Sequence, residues 1–177
     1  MTEARFADLA ADLRRTFDQS FAEPAAGAHE DAEAFLGVRV ADAGVALRLG
    51  ELAGIFVARR IVPVPTSAAA LLGLAGIRGV AIPVYGLREL LGHPSSPARP
   101  RWIVLARAEP VGFAVDELDG HLRVLPSELS PVQGEATPGH VRETARVAGI
   151  LRPIVSVSSL VGALKMQLGV VDSRKET

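Results

Sequence analysis

Residues Leu71 to Leu91, LLGLAGIRGVAIPVYGLRELL, decide the fold of this chain. The stretch reads as a β-hairpin followed by a short helix. The first arm is Gly73 to Arg78, the turn Arg78-Gly79, the second arm Val80 to Tyr85 and the helix Gly86 to Leu91. Both arms are apolar and rich in β-branched residues, the composition of strands buried on both faces or closed into a small barrel. One charge, Arg78, stands at the tip. A buried hairpin that presents a single arginine reads as an anchor with a contact point.

The composition agrees with an aliphatic β protein. Of the 177 residues, 49% are hydrophobic but only 5% aromatic, so the core must be built from Val, Leu, Ile and Ala. The net charge of −1 gives no support to a nucleic-acid or anionic-membrane partner. The lack of cysteine excludes disulfides and thiolate metal sites and fits a reducing cytoplasm. Glu3, Asp8 and the missing apolar run argue against a secretory signal, and prolines 63, 65 and 83 break the longest apolar region.

Outward from the hairpin, the chain separates into recognisable parts. Residues 3–21 carry Phe6, Leu9, Leu13 and Phe17 at helical spacing, an amphipathic helix laid on a surface or a partner. Residues 22–34 are a linker by composition. From Phe35 the period changes to two. Leu36, Val38 and Val40 form one strand, Ala43-Gly44 a turn, and Val45, Leu47 and Leu49 the return strand. Ile55 to Val64 is a third strand, and Thr66 caps a short helix over Ser67 to Leu72. Residues 92–100 form a proline-rich linker. Beyond it, Trp102, Val104 and Ala106, then Val111, Phe113 and Val115, alternate again. Asp116 to Gly120 reads as a break and Leu122 to Leu125 as another strand. Residues 126–140 read as an exposed loop, and Ala145 to Val157 as a closing pair of strands. A helix from Ser158 to Lys165, capped by Ser158 or Ser159, ends the fold.

The two halves lie on one another. Leu36, Val38 and Val40 fall on Trp102, Val104 and Ala106, and Val45, Leu47 and Leu49 on Val111, Phe113 and Val115. Glu51 to Gly54 falls on Glu117 to Gly120. Ile82, Val84, Leu87 and Leu91 fall on Val155, Val157, Leu160 and Leu164, which places Leu151 opposite Arg78. Two β units of about five short strands, each too small for a deep core, must share an interface and protect their edges by closing into barrels.

No catalytic constellation accompanies this framework. Histidines 29, 93, 121 and 140 lie in linkers and turns without metal-ligand spacing. Asp116, Glu117 and Asp119 read as a solvated turn rather than an acid–base pair. Gly73, Gly76 and Gly79 are not a dinucleotide fingerprint, because a strand follows them instead of a helix N-terminus.

GIRGVAIPVYGLRELLG resembles the core signature of the CheW-like domain of bacterial chemosensory systems. FLGVRVADAGVALRLGELAGI resembles that family's opening hairpin, IVPVP the stretch before its first helix, and VGFAVDELDGHLRV the start of its second half. The resemblance runs from about residue 35 to 165. It implies a mainly β fold of two intertwined five-stranded SH3-like barrels with short helices, here with an N-terminal amphipathic helix in addition. The implied organisation is a helix and linker over 1–34, the domain over 35–165 (subdomains about 35–92 and 100–165), and a tail over 166–177.

The implied function is that of a non-enzymatic adaptor without cofactor or metal. Its partners would be the regulatory domain of a CheA-type histidine kinase and the cytoplasmic tip of methyl-accepting chemoreceptors, with no nucleic acid and no direct membrane insertion. The implied location is the cytoplasm, at membrane-associated receptor arrays. Carried over by position, the protein-binding residues are Arg78, Ile77, Gly73, Leu52, Gly54 and Ile55. Three positions depart from the family. Gly54 replaces its usual acidic residue, Gly76 its asparagine and Gly86 its aspartate. An alternative reading keeps the fold but makes the chain a divergent adaptor outside receptor arrays, docking another partner through its N-terminal helix.

Overall fold

Two antiparallel-rich sheets, each curled round its own apolar interior, carry most of the chain in the computed structural model. It describes residues 31–96, 98–132 and 139–167. The strands are β1 (Glu33–Val40), β2 (Ala43–Arg48), β3 (Leu52–Val57), β4 (Leu71–Ile77), β5 (Val80–Gly86), β6 (Trp102–Ala106), β7 (Gly112–Val115), β8 (Glu117–Val124), β9 (Leu129–Pro131), β10 (Val141–Val147) and β11 (Ile150–Val155). Two helices accompany them, α1 (Leu87–Leu90) and α2 (Val157–Gln167). The chain divides into the units Met1–Ala32 and Glu33–Thr177. The helix expected over residues 3–21 lies outside the described residues, as does most of the linker 22–34.

The order of the first sheet is β8-β1-β2-β11-β10-β9 and that of the second is β3-β6-β7-β5-β4. Apart from β9, the two orders become the same once the halves are exchanged. β3 from the first half pairs with β6 from the second, while β8 from the second half pairs with β1 from the first. Each sheet also contains one parallel pair. Val155 lies opposite Leu47 in one, and Tyr85 opposite Phe113 in the other. The halves are thus intertwined, each lending a hairpin to the other's barrel.

Alternation along the strands produces three apolar clusters. Phe35, Ala46, Val124, Ala145 and Ile154 fill the first barrel. Ala75, Ile77, Ile82, Val84, Ile103 and Ala114 fill the second. The opposite faces of the same strands meet between the barrels, where Leu47, Val104, Phe113, Tyr85 and Leu160 belong to the largest cluster. All five are at least 97% buried. Each barrel core takes residues from strands of both halves.

The structure corrects several sequence expectations. The hairpin β4–β5 turns at Arg78 (φ 51°) and Gly79 (φ 80°), and β10–β11 turns at Ala148 (φ 49°) and Gly149 (φ 80°). Positive φ at both central residues is the tight-turn geometry that matches strand twist. Ala148, not Leu151, is therefore the counterpart of Arg78. The match of β2 with β7 holds residue for residue, but β1 and β6 meet their partners two residues away from the sequence alignment, Leu36 standing where Val104 stands. The β1–β2 turn falls at Ala41-Asp42 rather than Ala43-Gly44.

No helix forms over Ser67 to Leu72. Thr66 Oγ1 accepts a hydrogen bond from Ala68 N at 3.0 Å, a local turn, and Leu71 already pairs with Tyr85 in β4. The third strand ends at Val57 instead of running to Val64, because the following segment crosses to β4 and pairs only at Val62, with Leu74. Residues 126–131 are not loop. A 3-10 turn over Pro126–Glu128, tied by Leu125 N donating to Glu128 Oε2 (2.9 Å), leads into β9, which adds a sixth strand on β10.

Side chains tie the exchanged elements together. Ser156, not Ser158 or Ser159, caps α2, its Oγ accepting from Ser159 N at 3.2 Å. Glu51 reaches the same helix start from across the fold, where its Oε2 accepts from Val157 N at 2.7 Å. Asp116, Glu117 and Asp119 are not a solvated turn. They sit at the start of β8, where Asp116 accepts from Ala41 N (3.0 Å), Glu117 pairs with Arg39 (3.4 Å) and Asp119 pairs with Arg152 (2.6 Å).

The Arg152 hydrogen bond is the largest influence on Asp119. Partial burial opposes it, but the Arg152 and Arg39 charges reinforce it, and the carboxyl titrates below its ordinary value of 3.8. A depressed carboxylate stabilises the fold above its unfolded value and ceases to do so as pH falls through the lower folded value. Wild-type stability should therefore drop on acidification below about pH 4. Asp119→Asn should cost about 1–3 kcal/mol at pH 7 and flatten that acid limb. Urea midpoints of both proteins between pH 7 and 3 check this, and a variant as stable as wild type at pH 7 would contradict it.

Candidate protein-docking site

The tip of the β4–β5 hairpin stands over the mouth of the second barrel. Backbone strain does not explain Arg78, because Ala148 adopts the same left-handed conformation in the equivalent turn. The distinguishing feature is the side chain. Its guanidinium carbon lies 5.3 Å from the centroid of the Phe56 ring on β3, within cation–π range. Phe56 leans back along its own strand over Gly54, where an added Cβ would come 3.1 Å from ring atom Cε2. Gly54, Phe56 and Arg78 form a stack that holds a charge at the rim of an apolar opening. A groove of about 460 Å³ runs beside it, lined by Phe56, Arg60, Val62, Gly76, Ile77 and Arg78 among others.

The six residues expected to bind partners therefore separate. Arg78, Ile77 and Gly54 belong to the barrel mouth. Ile77 faces inward, and contributes to the groove floor while filling the barrel core. Ile55 points to the other side of β3. It pairs with Val104, and the next outward residue, Val57, pairs with Trp102, so both continue the inter-barrel cluster to the surface. Ile55 is 38% exposed and Val57 56%. The equivalent places on β8, opposite Leu36 and Ala34, hold His121 and Arg123, so the framework does not require an apolar row there.

Leu52 and Gly73 have structural positions. Leu52 is buried in the inter-barrel cluster. Gly73 has φ 142° at a bulge in β4, and a Cβ there would run into the Val62 carbonyl. Gly86, where the family resemblance implies aspartate, lies under the Glu89 carboxylate, which occupies the space a side chain at 86 would take. Sequence reading missed Phe56, Arg59 and Arg60. Their signal was the arginine doublet directly after an apolar strand.

His140 has a structural partner. His140 Nδ1 lies 3.1 Å from Ser159 Oγ, and burial, with the nearby Arg142 charge, lowers its pKa. Among the described residues, no three His, Asp or Glu side chains gather as a metal site, and no helix is long and apolar enough to cross a membrane.

The fold is a pair of intertwined SH3-like barrels, with Arg78 held over Phe56 at the edge of the second. The match to the CheW-like domain model over residues 34–165 covers most of the chain, which belongs to that family. In fold the chain is similar to the scaffolding protein TtCheW from Thermoanaerobacter tengcongensis, with a TM-score of 0.63 at 16% identity. The alignment covers 70% of this chain and 88% of that one. No curated protein matches the chain in sequence.

Proposed function

We propose that this chain is a non-enzymatic adaptor that couples the cytoplasmic tips of methyl-accepting chemoreceptors to the regulatory domain of a CheA-type histidine kinase. It acts in the cytoplasm, at membrane-associated receptor arrays, without a cofactor. The observation that carries the reading is Arg78 mounted on Phe56, an oriented charge on a rigid apolar rim. Family membership supports the adaptor role, and the scaffolding relative of the same fold supports it further. The apolar row of Ile55 and Val57 beside the inter-barrel cluster suits a helical receptor tip, whose buried area would contribute about 25 cal/mol per Å².

A test is Arg78→Ala, in which the equivalent Ala148 shows that the turn accepts alanine. Calorimetric titration with a kinase regulatory domain and with a receptor tip fragment should show at least one affinity falling about tenfold or more, the effect of losing a charge-assisted hydrogen bond. The thermal midpoint should stay unchanged. Unaltered affinity for both partners would overturn the assignment of Arg78.

A further inference from the structure

The near-zero net charge conceals a one-sided distribution. From Leu52 to Arg88 the sequence contains no Asp or Glu at all, although the chain has 20 acidic residues against 19 basic ones. Arg59 and Arg60 fall in this stretch, and Arg99 and Arg101 precede β6. Arg39, Arg48, Arg88 and Arg152 each lie within 4.0 Å of a carboxylate. Among the described residues, Arg59, Arg60, Arg99 and Arg101 have no such partner.

These unpaired arginines stand on a fixed surface. Ala58 N donates to Arg101 O at 2.9 Å, joining the two segments that carry them. Val62 and Leu74 exchange hydrogen bonds of 2.8 and 2.9 Å, pinning the first segment to β4. Pro63 and Pro100 stiffen both. Between the segments lies a depression of about 420 Å³ with Ile61, Pro63 and Pro100 in its lining and Arg59, Arg60 and Arg99 around them. Val62, 48% exposed, extends the apolar surface toward the barrel mouth.

We propose that this seam of the second barrel is a docking surface for an acidic protein segment, one that alternates carboxylates with aliphatic side chains. The carboxylates match the planar guanidinium forks, which bind them in bidentate fashion, and the aliphatic residues cover the proline and isoleucine lining. A concave site with an apolar lining favours a peptide over a lipid plane. No aromatic side chain lines the depression, so it lacks the stacking platform of a single-strand nucleic-acid site. The depression adjoins the groove at the barrel mouth and shares Arg59 and Arg60 with it, but Arg78 does not line it.

The test is fluorescence anisotropy with the full chain and two labelled peptides, one of alternating glutamate and leucine and its glutamine-for-glutamate counterpart. The glutamate peptide should bind at least tenfold more tightly, and added salt should weaken it. Arg59→Gln/Arg99→Gln should loosen it about tenfold or more with an unchanged thermal midpoint, and Arg78→Ala should leave it intact. Equal binding of the two peptides, no binding of either at about 1 mM, or an unaffected double variant would overturn the proposal. Phosphatidylglycerol vesicles that bind more tightly than the glutamate peptide and are lost in the same double variant would assign the arginines to lipid and also overturn it. Loss of peptide binding in Arg78→Ala would place the peptide at the barrel mouth rather than in the depression and overturn the proposal, without touching the adaptor reading.

Discussion

Replacing Gly73 by alanine should cost about 3–5 kcal/mol, a large part of the 5–15 kcal/mol that ordinarily holds such a domain together. Two effects add. At φ 142° the backbone occupies a region that side-chain-bearing residues rarely adopt, worth about 1–3 kcal/mol. The new Cβ would also meet the Val62 carbonyl and come 2.9 Å from Pro63 Cα. Both are backbone atoms held by the Val62–Leu74 bridge, so relief requires breaking that bridge. Gly76, three residues along the same strand, is the control. It has no positive φ, and an added Cβ there meets nothing within 4 Å. Gly76→Ala should change stability by less than about 0.5 kcal/mol, as surface substitutions usually do. Urea titration of both variants checks the pair. Equal midpoints would mean that the close approach at Gly73 does not constrain the fold.

Phe113→Ala should cost about 3–5 kcal/mol as well, by emptying the largest buried volume on β7. The informative part is the form of the transition. Phe113 lies in the inter-barrel cluster, opposite Val104 on β6 and Tyr85 on β5. Both barrels rest on that cluster, and each is built from strands of both halves. The variant should therefore unfold in one cooperative step, with probes in either barrel shifting together. Trp102 fluorescence reports the second barrel, and amide exchange at Phe35 and Ala46 reports the first. A second, unshifted transition in the first barrel would show that the halves fold separately despite their exchanged strands.

Alternation made the hairpins legible, and the internal likeness made the paired architecture legible. Val45, Leu47 and Leu49 alternate because one face of β2 meets the other barrel. Val111, Phe113 and Val115 repeat the pattern for the same reason, so that match holds residue for residue. The β4 and β10 hairpins were harder to superimpose. Their registers are fixed by the positive-φ turns at Arg78-Gly79 and Ala148-Gly149, and an alanine in the second turn gives no sign of a left-handed residue. The sixth strand was hidden for a different reason. Leu129 to Pro131 pairs along the free edge of β10, and three residues beside prolines leave no periodic trace.

The helix cap at Val157 could not be read either. Glu51 supplies it from more than a hundred positions away in the chain. At the candidate site, Arg78 was visible because it is a lone charge in an apolar hairpin. Its support was not, because Phe56 looks like any apolar strand residue until β3 and β4 are brought to the same barrel mouth. The unpaired arginines were likewise masked by a balanced total charge.

As a coupling adaptor, one copy of this chain would hold two partners together. The direct measurement is light scattering on a size-exclusion column, loading the full chain with a CheA-type kinase regulatory domain and a receptor cytoplasmic tip fragment. A single peak whose mass contains all three components is expected, lost for at least one partner in Arg78→Ala. Elution of the chain alone, or of complexes with one partner that exclude the other, would contradict it.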